Sequence, residues 1–103
     1  MVGNWTVDIS NKAEKQMVAL KKERLKVYKL AVALIKELEV GGPIRKEWPH
    51  FSRLSKSGSV PDGSYHCHLK EGKPTFVACW RVVNKTIKSI EVYYVGTHEN
   101  APY

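Results

Sequence analysis

From Tyr65 to Val95 the chain repeats one pattern: a run of residues with polar side chains at alternate positions, closed by a short turn. Tyr65-His66-Cys67-His68-Leu69-Lys70 leads into Glu71-Gly72-Lys73-Pro74, and Thr75 to Val83 leads into Asn84-Lys85. Thr86 to Val95 then leads into Gly96-Thr97-His98 and the tail Glu99-Asn100-Ala101-Pro102-Tyr103. A period of two is that of a strand buried on one face. Turns this short make consecutive strands antiparallel neighbours. The chain therefore contains a three-strand meander, whose apolar face needs a second layer to cover it.

The segment before it supplies that layer. Trp5-Thr6-Val7-Asp8-Ile9 alternates and reads as a short strand. Ser10 or Asn11 can cap a helix, with Glu14 near its first turn. Lys12 to Val40 has helical spacing in two stripes, Ala13/Met17/Leu20 and Val27/Ala31/Leu34/Ile35/Leu38. The polar stretch Lys21-Lys22-Glu23-Arg24 separates them and predicts a hairpin of two helices that breaks near 20–24. No Gly or Pro marks that break, so one long helix is the alternative. Gly41-Gly42-Pro43 ends the helical region. Residues 44–64 are the least regular, with Trp48, Phe51 and Leu54 as apolar anchors and a turn-rich loop from Ser55 to Gly63. The expectation is a single α+β domain over 1–103, ordered β-α-α-β-β-β. Its helical hairpin packs on one face of a small, mainly antiparallel sheet.

Composition narrows the class of function. With 43% hydrophobic residues the chain can build a core, which excludes a disordered tail. No apolar run approaches the roughly 18 residues of a membrane span. Met1-Val2-Gly3-Asn4-Trp5 lacks the basic and apolar regions of a signal peptide, so a cytoplasmic protein is expected. Two cysteines, Cys67 and Cys79, are too few for a disulfide framework and read as buried free thiols. A net charge of +7 points to a polyanionic partner, nucleic acid or an acidic protein.

Alternation assigns faces. Tyr65, Cys67 and Leu69, then Phe76, Ala78, Trp80 and Val82, then Ile90, Val92 and Tyr94 make the covered face. The open face collects His66, His68, Lys70, Val77, Cys79, Arg81, Glu91 and Tyr93. Imidazoles titrate near neutrality and can serve as base and acid in cleaving RNA through its 2′-OH. Arg81 and Lys70 can hold the phosphorane charge, and Tyr93 and Tyr103 can stack on a base. Plainer explanations exist for each. His66 and His68 can be polar residues of an exposed strand, His98 a turn residue, Tyr103 a frayed end, His50 structural or exposed, and Arg81 the partner of Glu91. A His-x-His pair can chelate a metal, but with no acidic residue read as close by in sequence, neither metal nor cofactor is expected.

The element order, the strand Tyr65-His66-Cys67-His68-Leu69-Lys70 and the ending Val95 to Tyr103 resemble the RelE/ParE superfamily of bacterial toxins. They are most similar to the RelE/HigB-type messenger-RNA interferases. The likeness spans the chain in architecture and is motif-like from Tyr65 onward. It implies the toxin of a toxin–antitoxin pair, an endoribonuclease that cleaves mRNA on the ribosome without metal and is silenced by a cognate antitoxin. His66 and His68 stand where RelE-type members often have a Lys-x-Lys pair. His98 stands in place of an arginine two residues after the last-strand glycine, and Tyr103 matches a C-terminal tyrosine one residue closer. A further family arginine falls near Val77 and is absent, with Arg81 four residues on as its substitute. The resemblance thus implies a catalytic group of His66, His68, His98, Arg81 and Tyr103. Lys46, Arg53, Lys56, Lys70, Lys73 and Tyr93 are the expected RNA-binding residues. The alternatives are a ParE-like inhibitor of DNA gyrase, which needs no histidine-rich face, and a degenerate toxin that only binds its antitoxin.

Overall fold

Ser10 ends the first strand and begins the first helix. The computed structural model describes residues 4–103; the first three, part of the segment read as lacking a leader, lie outside the described residues. Thr6–Ile9 is β1. The Ser10 hydroxyl then accepts the Ala13 N–H at 3.1 Å and caps α1, Asn11–Glu23. Ser10→Ala is expected to cost about 0.5–2 kcal/mol, measured as a lower midpoint in urea unfolding; an unchanged midpoint would show that the cap does not stabilise the fold.

The helical region breaks at Arg24, whose backbone (φ −141°, ψ 68°) leaves the helix, and resumes as α2, Leu25–Gly41. Packing requires the break. One straight helix over 11–41 would be about 46 Å long, whereas the longest extent of the molecule is 37 Å. Bending at Arg24 lets both stripes face the same sheet. The Arg24 guanidinium sits 5.5 Å over the Phe76 ring, a cation–π contact at the hinge. Gly42, at φ 88°, ends α2, and a Cβ there would stand 2.8 Å from the Trp5 indole nitrogen. Only glycine meets both conditions.

The sheet adds β2 (Ser52–Leu54), β3 (Ser64–Lys70), β4 (Phe76–Asn84) and β5 (Ser89–Thr97), in the order β1-β5-β4-β3-β2. β1 pairs with β5 in parallel, and the other pairs are antiparallel. β2 was not expected, since three residues carry too little alternation to be seen. Both helices cover one face. Leu34, Leu38 and Ala31 of α2 and Ala13 of α1 meet Trp80, Ile90, Val92 and Cys67, all essentially inaccessible. Cys67 and Cys79 are free, buried thiols whose pKa burial pushes up to about 12.

Two ladder irregularities overturn two expected directions. Pairing jumps from Cys79↔Tyr94 to Trp80↔Val92, which leaves Tyr93 as an extra residue. In a bulge of this kind two successive side chains share a side. Tyr94 accordingly leaves the helix-covered face and packs with Val77 and Cys79. Pairing also jumps from His68↔Val77 to Lys70↔Phe76, which makes Leu69 extra. Lys70 follows Leu69 to the helix side and lies beside Arg24, Leu25 and Val27 instead of beside the histidines. Among the described residues no helix is long and apolar enough to cross a membrane.

Candidate active site

On β3, His66 and His68 occupy the face that the helices leave open, as the alternation requires. His66 is nevertheless only 8% exposed. Its Nδ1 lies 3.2 Å from the Ser52 hydroxyl on β2, its cross-strand partner. Burial lowers its pKa below the ordinary 6.5, outweighing a hydrogen bond with Ser52 that raises it, and the neighbouring imidazoles of His68, His98 and His50 lower it further. His66 is therefore neutral at neutral pH. In the tautomer that carries its proton on Nδ1, facing Ser52, Nε2 offers a lone pair.

The β5 bulge delivers the second part. Tyr94 lies across Gly96, where a Cβ would stand 2.8 Å from its hydroxyl, and that hydroxyl donates to the Thr97 carbonyl at 2.6 Å. The His98 N–H donates to the Thr75 carbonyl at 2.8 Å. Held at both points, the chain makes a single 3₁₀ turn over His98–Asn100 and returns toward β3. The His98 ring centroid is 5.5 Å from that of His68. The tail places the Tyr103 ring 4.5 Å from His66 and 5.6 Å from His98, edge-on to the latter. Burial, followed by the nearby thiols and phenols, raises the Tyr103 pKa, so its hydroxyl keeps its proton and acts as a donor. Of the expected group the fold brings His66, His68, His98 and Tyr103 together, while Arg81 is engaged by Glu91.

Two members were missed. His50, read as structural or exposed, stacks on His68 with centroids 4.2 Å apart, so all four histidines of the chain belong to one group. Glu71 accepts from His68 Nδ1 at 2.9 Å and lies 3.3 Å from His50 Nε2. The reading that no acidic residue stands near the His66/His68 pair fails here. Glu71 is three positions past His68, and the turn folds it back onto the ring; the i+3 spacing was the available clue. His50 owes its place to its turn. Trp48 Nε1 donates to Glu37 at 2.8 Å, Phe51 stacks on Tyr65, and the His68 N–H donates to the Pro49 carbonyl at 2.8 Å. Between these anchors His50 adopts left-handed backbone, φ 55°. The donor atoms of His50, His68 and Glu71 lie within 4.8 Å of one another, a set that can hold a metal ion.

The basic residues are not gathered at this group. Arg81 sits opposite Ser64, not His66, and its Nε donates to Glu91 at 2.9 Å. The plainer ion-pair explanation describes it. Tyr93 donates to the Ser64 hydroxyl at 3.1 Å and is half-buried, with its pKa raised by burial, so it is no free stacking surface. Arg53 pairs with Tyr65 and lines a concavity with Trp5, Ile44 and Lys85 on the face away from the histidines. Lys46, Lys56 and Lys73 are exposed on turns.

No protein-family model matches this chain, and no curated protein matches it. Solved structures do. The YoeB dimer from Staphylococcus aureus superposes with a TM-score of 0.69 at 16% identity, covering 92% of this chain and 98% of that one. A YoeB/ParE toxin from Agrobacterium tumefaciens gives 0.70 at 11% identity, covering 90% and 98%. The YoeB–YefM complex from Staphylococcus aureus gives 0.68 at 14%, covering 91% and 97%. At such identities the likeness is one of fold: this chain has the fold of these YoeB and YoeB/ParE structures.

Proposed function

We propose that the protein is the toxin of a toxin–antitoxin pair and acts as a metal-independent endoribonuclease on mRNA. One observation carries the reading: the whole histidine complement of the chain is drawn together with Tyr103 on the sheet face free of helices. A solvated surface has no reason to concentrate imidazoles there, one of them buried. The fold shared with YoeB and with a YoeB–YefM complex supports the toxin class and an antitoxin partner.

The roles follow from environment. Neutral, desolvated His66 takes the proton of the 2′-OH, and the resulting oxygen attacks the adjacent phosphorus. The bond to the 5′-oxygen breaks, and that oxygen leaves with a proton from His68, whose ring is oriented through Nδ1 by Glu71. The phosphorane oxygens take hydrogen bonds from His98 and the Tyr103 hydroxyl. Arg81, engaged by Glu91, has no part in this scheme. Exposed Lys46, Lys56 and Lys73 bind flanking phosphates, and the ribosome presents the message.

The test is cleavage of a defined mRNA with and without ribosomes, in EDTA, with analysis of the new ends. Fragments ending in a 2′,3′-cyclic phosphate at undiminished rate are expected. Intact RNA alongside inhibited gyrase would replace the reading by the gyrase-inhibitor class; no effect on either would mark a protein that only binds its antitoxin. If the exposed lysines contact phosphate, log affinity for single-stranded RNA should fall with log salt by about 0.7 per contact. Replacing Lys46, Lys56 and Lys73 together should flatten that slope, and an unchanged slope would remove them from the interface.

A further inference from the structure

We propose that His50, His68 and Glu71 form a binding site for a divalent transition-metal ion of the zinc class, and that loading it switches the RNA-cleaving group off. The second clause rests on the nuclease reading above; the first does not. Two imidazole nitrogens and a carboxylate oxygen are the ligand set that zinc takes with one position left for water. At zinc–ligand bonds of about 2.0–2.1 Å, ligands at the corners of a tetrahedron stand about 3.3–3.4 Å apart. His50 Nε2 and Glu71 Oε2 already stand 3.3 Å apart. His68 Nδ1 is 2.9 Å from the same oxygen, the length of an N–H···O bond, and a metal replacing that bridging proton widens it slightly. His50 is exposed, so its ring is free to turn and aim Nε2 at the ion. Its backbone is held in the left-handed region between the anchored Trp48 and Phe51, which presents the ring at this spot.

The consequence is chemical. To donate a proton, His68 must carry hydrogens on both ring nitrogens. A metal on Nδ1 excludes that state, and the remaining Nε2–H has no lone pair with which to accept a proton. Glu71 is drawn away from orienting the ring at the same time. The ion therefore competes with catalysis instead of serving it.

Cobalt(II) and zinc(II) are the probes. Titrating the purified full-length protein with Co²⁺ should give visible bands of a four-coordinate ion saturating at one per chain, reversed by Zn²⁺. His50→Asn suits the left-handed backbone and Glu71→Gln keeps the size of the side chain; each should weaken Zn²⁺ binding at least about tenfold, read by competition with a chromophoric chelator. Glu99→Gln, a neighbouring carboxylate outside the site, should bind as wild type. Circular dichroism confirms the fold of each variant. Absence of one-to-one binding, or binding unchanged in both folded site variants, overturns the site. In the cleavage assay Zn²⁺ should stop the wild type, EDTA should restore it, and His50→Asn should cleave in Zn²⁺ concentrations that silence the wild type. Undiminished cleavage by zinc-saturated wild type overturns the switch. A protein that binds zinc through these residues but cuts no RNA supports the site and refutes the nuclease reading.

Discussion

His66→Gln and His68→Ala are each expected to slow cleavage of mRNA by about 10²–10⁴-fold, the usual cost of losing a general base or acid. His66→Gln is the informative form at the buried position, because its amide can still hydrogen-bond Ser52 and the fold should hold. His98→Ala, on an exposed turn, removes a donor to the phosphorane and should cost about 10²–10³-fold without lowering thermal stability. Because these groups act as a unit, the triple variant should be little slower than the worst single one. The measurement is single-turnover cleavage, paired with growth after induced expression. All variants should still bind the antitoxin. If the triple variant cleaved at the wild-type rate, the site would lie elsewhere.

The largest effect on stability is expected at Trp80. Its side chain is fully buried, stacks on Phe51 and Tyr65, and donates from Nε1 to the Pro43 carbonyl at 3.1 Å. Trp80→Ala should cost about 3–5 kcal/mol, a large share of the roughly 5–15 kcal/mol typical of a domain. The same stack holds Tyr65, next to His66 on β3, so the variant should lose activity as well as stability. Trp80→Phe keeps most of the apolar volume but leaves the Pro43 carbonyl without its donor, and should fall between. Urea unfolding measures both, and a loss below about 1 kcal/mol for Trp80→Ala would show that the core does not depend on this ring.

Local pattern determined the architecture of this protein. The two apolar stripes of 13–38, the Gly41-Gly42-Pro43 stop and the alternation from Tyr65 to Val95 each follow from geometry repeating every 3.6 or two residues, and the observed helices and central strands obey them. The convergence of His66, His68 and His98 was legible for the same reason: a meander brings alternate positions and strand ends together. What tertiary structure decided is where the period breaks. Bulges at Leu69 and Tyr93 turned Lys70 toward the helices and Tyr94 away from them, and a bulge depends on how neighbouring strands register. β2 exists only because β3 offers it an edge. His50 and Glu71 lie on turns with no periodicity of their own. His50 reaches His68 through anchors 11 or more residues away in sequence, Glu37 for Trp48 and Tyr65 for Phe51, which no local pattern reveals. Arg81 was ambiguous for the opposite reason: alternation placed it on the open face correctly, but only the cross-strand pairing with Glu91 determined that its charge is already answered.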